Sequence, residues 1–180
     1  MRVEMRKEDI HHGHKVGELS MKIGEYLELN NKTCIDLYKA GLLHDYGKAL
    51  ISQSLLNKKG PLTNREYEIV KQHAVNSAKI VQKLGYNDYI VRSILYHHED
   101  FSGTGYNKIK GNDITFGARI LRVADMYSAL VEDRVYRKAY TNEKAIEIME
   151  QHIKCFDPVI YKVLKNIVGT KKEVIGGVKR

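Results

Sequence analysis

Two adjacent residues, His44 and Asp45, offer one imidazole nitrogen and one carboxylate at the end of an apolar stretch of the chain. A carboxylate has two oxygens and can bridge neighbouring cations. Lys48 follows three residues later, and its ammonium group could bind a phosphate. This short segment therefore predicts metal-assisted chemistry on a phosphate-bearing substrate.

Other histidines and carboxylates occur at spacings that could complete a metal cluster. Two of them, Glu8 and His12, are four residues apart and would share one face of a helix. The remaining candidates are His73, His97, His98 and Asp125. Imidazole and carboxylate ligands without thiolates suit iron, manganese, zinc, cobalt or nickel, and the five histidines argue against a site that binds only magnesium.

Each candidate taken alone also has a purely structural explanation. His12 lies on an apolar stripe, where a hydrogen-bonded core histidine is more common than a ligand, and His73 could be a surface residue. Glu8 could stabilise the start of a helix through the helix dipole. Asp125 could pair with the arginines three and six residues before it. The prediction of a metal site therefore depends on all the candidates together.

The spacing of apolar residues predicts an almost entirely helical chain. Apolar side chains recur at three and four positions, and only two prolines interrupt the 180 residues. We predict an all-α fold of about seven helices in a single compact domain over residues 1–168, followed by a flexible basic tail over 169–180. A hydrophobic content of 43% suffices for a substantial core at this length.

Capping residues and glycines suggest the helix boundaries. We expect Thr33 to cap the second helix, which would carry His44 and Asp45 in its last turn. Thr63 and Glu66 form a capping-box signature for the third helix. The glycine-rich stretch 99–113 is predicted to be a loop. The predicted helices cover about 7–29, 31–47, 63–85, 87–98 and 114–132, and two more begin near Thr141 and Pro158.

Composition narrows the class of protein. Cys34 and Cys155 belong to no CxxC pair, which argues against a disulfide framework and fits a reducing cytoplasm. No apolar run approaches a membrane-spanning length, so we expect a soluble protein. The net charge of +8 suits either nucleic acid or a small polyanion in a cleft. The basic residues are scattered, which favours a small phosphate-bearing ligand over nucleic acid.

The order of these candidates and their flanking residues resemble the HD-GYP domain family over about residues 8–167. That family carries a first histidine followed by an Arg-Val-like pair, then HD-x-GK, a lone histidine, HHE with a glycine-rich GYP loop, and VAD. Further downstream it carries DRPYR and FDP. The corresponding segments here are 12–16, 44–48, 73, 97–99 with 105–107, 123–125, 133–137 and 156–158.

The resemblance implies a cytoplasmic, metal-dependent phosphodiesterase of bacterial second-messenger signalling. It would hydrolyse cyclic di-GMP to pGpG and, in members with three ions, onward to GMP. Its metal ligands would be Glu8, His12, His44, Asp45, His73, His97, His98 and Asp125. Because Glu8 matches an additional glutamate of members with three ions, the resemblance favours three divalent ions over two, with iron or manganese ahead of zinc, cobalt and nickel.

The resemblance also assigns roles around the reacting phosphate. Bound cations would clamp the phosphodiester and lower the pKa of a bridging water, so that hydroxide is available near neutral pH. Asp45 is the expected bridging ligand, while Lys48, Arg134 and Arg137 would neutralise phosphate charge. Either arginine could instead be a solvated charge on a loop.

Three residues depart from the family pattern. Ser102 and Ser128 stand where the family often has aspartate, and Asn107 replaces the proline of GYP. All the expected metal ligands are present, so the departures concern the substrate and any protein partner at the loop between Gly103 and Asn107. One alternative is an HD-family enzyme for another cyclic dinucleotide or a nucleoside phosphate, and a second is a binding module without catalysis.

Since the sequence begins close to the first matched helix, we expect regulation to come from another chain or from a part outside this sequence. The oligomeric state is left open.

Overall fold

Helical spacing of apolar residues produces a bundle in the computed structural model, which describes residues 5–133 and 137–169. The described residues form eight α-helices, so the all-α prediction is confirmed. The helix that the sequence did not predict is the four-residue α3. The helices are α1 (Lys7–Tyr26), α2 (Asn31–Leu43), α3 (Gln53–Leu56), α4 (Asn64–Lys83), α5 (Asp88–Leu95), α6 (Phe116–Leu130), α7 (Asn142–Glu150) and α8 (Pro158–Gly169).

Side-chain caps start several of these helices. The capping box of Thr63 and Glu66 is present at the start of α4, and Thr141 accepts a hydrogen bond from a backbone N–H of α7. The predicted cap of α2 is wrong, because Asn30 caps this helix by accepting a hydrogen bond from the N–H of Thr33. Thr33 therefore lies inside the first turn.

Three helices end three or four residues earlier than their sequence patterns suggest. Helix α1 ends at Tyr26, and two residues later Glu28 adopts a positive φ of 56°. Helix α2 ends before His44, and a short 3-10 helix over Tyr46–Leu50 follows Asp45. Helix α5 ends before His97. His44, Asp45, His97 and His98 therefore follow helix ends and are not part of the last helical turns.

Close helix packing holds these ends together. A Cβ atom added to Gly41 would lie 2.6 Å from the Cα atom of Gly17, so α1 and α2 cross at a distance that only glycine permits. Helix α6 contacts α1, α2, α5, α7 and α8 and forms the centre of the bundle. Its core side chains include Ile120, Leu121 and Val123, each fully buried. This central position brings Asp125 of α6 towards the first two helices.

Some predictions lie at the limits of the described residues. Arg134 and residues 170–180, which include nearly all of the predicted tail, lie outside them. Among the described helices, none combines the length and the apolar character that crossing a membrane requires.

Candidate metal centre

Three buried histidines are oriented by backbone carbonyl groups. The Nδ1 atoms of His44, His73 and His97 lie 2.7, 2.7 and 2.6 Å from the carbonyl oxygen three residues before each of them. Because a carbonyl only accepts hydrogen bonds, Nδ1 carries the hydrogen and Nε2 faces away from the backbone. Each ring therefore has a defined orientation that directs Nε2 into a common space.

The Nε2 atoms meet at one buried point. His73 Nε2 lies 3.4 Å from His97 Nε2, 3.1 Å from His98 Nε2 and 3.3 Å from Asp45 Oδ1. Asp45 Oδ2 lies 3.3 Å from His44 Nε2. Among the described residues, His44 Nε2 and Asp45 Oδ1 are buried without a hydrogen-bond partner. Imidazole nitrogens and carboxylate oxygens that lie this close together, some of them buried without a hydrogen-bond partner, fit a bound cation.

A second group of ligand atoms adjoins the first. His12 Nε2 lies 2.9 Å from Asp125 Oδ1, and His44 Nε2 lies 3.8 Å from the same oxygen. The structure therefore contains three overlapping groups, each with ligand atoms within 4.8 Å of one another: His73, His97 and His98; His12, His44 and Asp125; and His44, Asp45 and His97. Overlapping groups of imidazoles and carboxylates fit neighbouring divalent ions better than a single ion.

Burial and the carboxylates divide the histidines into two electrostatic classes. Burial lowers the pKa of His98 to about 3, and it also lowers the pKa values of His73 and His97. Burial also disfavours a charged His12, but its hydrogen bonds to Asp125 and Glu132 outweigh this effect and raise its pKa to about 9. Near pH 7, the first three histidines are thus neutral, while His12 holds a proton that a cation would replace.

Glu8 is the one predicted ligand that the structure does not bring to this cluster. Its side chain is 56% exposed, and its carboxylate lies 2.9 Å from Arg6 Nη1. The buried neighbour, Asp9, accepts two hydrogen bonds of 2.7 Å from the same guanidinium. The structure therefore brings together seven of the eight predicted ligands, and the third metal ion that depends on Glu8 stays a prediction.

Lys48 lies beside the cluster. Its Nζ donates a hydrogen bond to Asp45 Oδ2, and the two residues are connected by the first turn of the 3-10 helix. Burial lowers the pKa of Lys48, but the charge and hydrogen bond of Asp45, together with the charges of Asp125 and Asp9, outweigh burial and raise it. The side chain therefore carries a positive charge at the edge of the candidate metal centre.

Arg137 has structural partners that the sequence did not suggest. Its Nη1 and Nη2 donate hydrogen bonds of 3.0 and 2.8 Å to the carbonyls of Leu130 and Ala129, at the end of α6. Its guanidinium also lies 4.2 Å from the ring centroid of Tyr140. These contacts stabilise the end of a helix, and the predicted phosphate contact of Arg137 stays a prediction.

The arginines near Asp125 pair with other carboxylates. Arg119 Nη1 lies 2.7 Å from Asp157, and Arg122 Nη2 lies 2.8 Å from Asp100. The hydrogen bond of Asp125 goes to His12 instead. Asp125 therefore forms no ion pair with Arg119 or Arg122, and the structural alternative for this residue is wrong.

Two functional partners escaped the sequence reasoning. Glu132 Oε2 lies 3.1 Å from His12 Nδ1 and so orients the ring from behind. Its position seven residues after Asp125 in the sequence, just beyond the end of α6, is a signal that could have indicated it. Glu99 accepts hydrogen bonds from the N–H of Asn107 at 2.7 Å, from its Nδ2 at 2.8 Å and from the N–H of Ile109 at 3.0 Å. The glutamate of HHE therefore anchors the loop.

The loop carries Tyr106 to the cluster. A Cβ atom on Gly105 would lie 2.5 Å from the Cα atom of Glu99, so only glycine allows this close approach. The ring of Tyr106 then lies 4.6 Å, centroid to centroid, from that of His98. The N–H of Asn107 donates to Glu99, a bond that the proline of GYP cannot make. The departure at residue 107 thus adds a tether to the loop.

The helical fold agrees with the comparisons to known proteins. A family model described as HD domain matches residues 3–160. The chain belongs to the HD domain family, as its resemblance to HD-GYP domains predicted.

Two relatives of this chain are named as phosphodiesterases of cyclic dinucleotides. The chain is 35% identical over 156 residues to "3'3'-cGAMP-specific phosphodiesterase 3" of Vibrio cholerae, covering 86% of this chain and 34% of that protein. It is 33% identical over 160 residues to "Cyclic di-GMP phosphodiesterase PA4108" of Pseudomonas aeruginosa, covering 88% and 39%. The chain thus spans less than half the length of these relatives.

A solved structure supports the fold. The structure described as Bd1817, a HDG"Y"P protein from Bdellovibrio bacteriovorus, superposes with a TM-score of 0.73 at 22% sequence identity. The superposition covers 89% of this chain and 52% of that one. The same helical architecture therefore occurs within a longer protein.

Proposed function

We propose that this chain is a metal-dependent phosphodiesterase that hydrolyses cyclic di-GMP to pGpG, and onward to GMP if a third ion binds through Glu8. The observation that carries the proposal is the convergence of seven imidazole and carboxylate side chains in three overlapping groups, all of them buried or partly buried. The names of the relatives support a cyclic dinucleotide as the substrate.

Two adjoining ion positions follow from the overlapping groups. His12, His44 and Asp125 would hold one divalent ion, and Asp45 with His73, His97 and His98 would hold its neighbour. Iron or manganese is our first choice, with zinc, cobalt and nickel as alternatives. When bound, such ions activate water and neutralise charge on the reacting phosphate.

The chain's own residues position the reactants. Lys48 would bind a non-bridging phosphate oxygen, because its ammonium group lies at the edge of the cluster and is hydrogen-bonded to Asp45. Glu132 and the carbonyl groups behind the histidines hold the imidazole rings in one orientation. A prearranged site loses little free energy to reorganisation when charge develops on the phosphate.

Hydrolysis tests the proposal directly. Manganese- or iron-loaded protein should convert cyclic di-GMP to pGpG or GMP, as resolved by chromatography. The control is a double variant, His44→Ala with Asp45→Ala, whose folding is checked by thermal unfolding. A wild-type turnover no faster than that of the folded double variant would reject the proposal.

A second candidate substrate is 3'3'-cGAMP, which appears in the name of the relative that is 35% identical. The loop that places Tyr106 4.6 Å from His98 differs from the family at Ser102 and Asn107, which supports a different base preference. A panel of cyclic dinucleotides and nucleoside phosphates decides between the candidates. A strong preference for cyclic di-GMP would exclude this alternative.

Cellular context is also part of the proposal. We place the protein in the cytoplasm, supported by Cys34 and Cys155, which are free thiols. A protein partner at the loop between Gly103 and Asn107 stays a prediction. Elemental analysis separates the enzyme from a binding module without catalysis, because the enzyme should carry stoichiometric metal.

A further inference from the structure

A row of aromatic rings leads from the candidate metal centre to the protein surface. Tyr106 lies 4.6 Å from His98 between ring centroids, with the two planes inclined by 35°. Tyr67, in the first turn of α4, lies 6.1 Å further out and meets Tyr106 edge to face at 84°. Tyr67 is 46% exposed, whereas Tyr106 is half-buried. The row therefore ends in an open tyrosine ring.

A lysine lies over both tyrosines. Lys71 Nζ is 5.7 Å from the ring centroid of Tyr67 and 5.4 Å from that of Tyr106. Lys71 lies one helical turn after Tyr67, and its ammonium also bonds Glu68 Oε1 at 2.9 Å. Cation–π attraction at these distances fixes the two rings relative to each other. The outer end of the row thus carries an ammonium group that contacts both tyrosine rings and is paired with a carboxylate.

This arrangement contributes little to the core. A ring that remains nearly half exposed buries only part of its apolar area, so stability alone does not explain its place. The inner ring is held from behind, because Glu99 tethers the loop that carries Tyr106. An ordered aromatic ring beside a phosphate site is typical of nucleobase recognition, because every base has a π face that can stack.

We propose that Tyr67 stacks against a purine base of the cyclic dinucleotide while a phosphate of the same nucleotide occupies the cluster. The inference rests on the proposed function, since it assumes a phosphodiester at His98 and its neighbours. A base is joined to its phosphate through a single ribose, and the ring of Tyr67 is separated from that of His98 by one other ring. Lys71 keeps the stacking ring in place.

The test compares Tyr67→Ala with Tyr67→Phe, which retains the ring. Tyr26→Ala is the matched control, because Tyr26 is 53% exposed at the end of α1 and its hydroxyl bonds Asn166 of α8. Two readouts apply to manganese-loaded protein: KM and kcat for cyclic di-GMP, and the calorimetric Kd of its slowly cleaved bis-phosphorothioate analogue. Methyl p-nitrophenyl phosphate serves as a phosphodiester without a purine.

The proposal expects Tyr67→Ala to raise both KM and Kd roughly 5- to 150-fold, with kcat nearly unchanged. Tyr67→Phe and Tyr26→Ala should stay within about twofold of the wild type, and kcat/KM for the small diester should not change. An unaltered Kd in Tyr67→Ala overturns the inference while wild-type hydrolysis upholds the proposed function. An equal loss on the small diester also overturns it, since Tyr67 would then act only through the fold.

The same measurements also test the inference when the proposed function fails. If the wild type binds the analogue but cleaves no dinucleotide, the proposed function fails, and the Kd of Tyr67→Ala still decides the inference. If the wild type neither binds nor cleaves, both are overturned.

Discussion

Replacing Glu99 should destabilise the protein through the loop, and not through the metal centre. The carboxylate is buried and accepts three hydrogen bonds, two from Asn107 and one from the N–H of Ile109. A hydrogen bond to a charged group contributes about 1.5–3 kcal/mol. Asn107 is exposed, so water replaces part of its loss. We therefore expect Glu99→Ala to lower the free energy of unfolding by about 3–5 kcal/mol.

The variant Glu99→Gln gives a graded comparison. Its amide oxygen can keep both bonds from Asn107, while its NH2 group faces the N–H of Ile109 and loses that bond. The expected loss is about 1.5–3 kcal/mol. With about 2–4 °C per kcal/mol for a chain of this size, Tm should fall by roughly 6–20 °C for Glu99→Ala and 3–12 °C for Glu99→Gln.

Thermal unfolding of metal-free protein, followed by circular dichroism, measures both shifts. Glu147→Ala is the control, because this exposed glutamate forms only a surface pair with Lys144 and should change stability by less than about 1 kcal/mol. Hydrogen exchange across residues 105–109 should rise in the same order. If Glu99→Ala left Tm unchanged and instead lowered the metal content, Glu99 would be a ligand and the reasoning would be refuted.

Three further predictions concern charge. Lys48→Ala should lower kcat/KM for cyclic di-GMP by about 10²- to 10³-fold with metal content retained, and wild-type kinetics in this variant would contradict its phosphate contact. Arg137→Ala should lower the free energy of unfolding by about 1–3 kcal/mol in thermal melts and leave KM alone, whereas a raised KM with normal stability would favour a substrate contact. Because the pKa of His12 is about 9, a cation must displace its proton, so between pH 6.5 and 9 metal affinity should rise with pH. Calorimetry in buffers of different ionisation heat should detect protons released on metal binding, and a release of zero at pH 7.5 would contradict this assignment.

Local chemistry explains what was predictable. The capping box of Thr63 and Glu66 is complete within four residues, so no tertiary information was needed to find it. The convergence of seven of the eight predicted ligands was predictable because their order and spacing follow a family pattern. The start of α2 could not be chosen in this way, since Asn30 and Thr33 are both good caps and lie three residues apart.

Contacts that helical periodicity does not indicate determine what the sequence could not reveal. Glu8 and His12 have the spacing of one helical face, yet the guanidinium of Arg6 pairs with Glu8 at the surface. The partner of His12 is Glu132, which is 120 residues away in the chain. The His12–Glu132 contact forms only after the helices pack, whereas Arg6 and Glu8 lie two residues apart and pair locally. Helical periodicity indicates neither contact.

The carbonyls that orient the histidines have a consequence for how variants are interpreted. His44 and His97 follow α2 and α5, and each bonds a carbonyl in the last turn of its own helix. Such carbonyls have no partner within the helix, so these rings also act as helix caps, for Ile94 in addition to backbone N–H groups beyond α5. Substituting either histidine therefore frays a helix end as well as removing a ligand. Under the proposed function, activity lost in an alanine variant at either position would therefore report the loss of the helix cap and the loss of the candidate ligand at once.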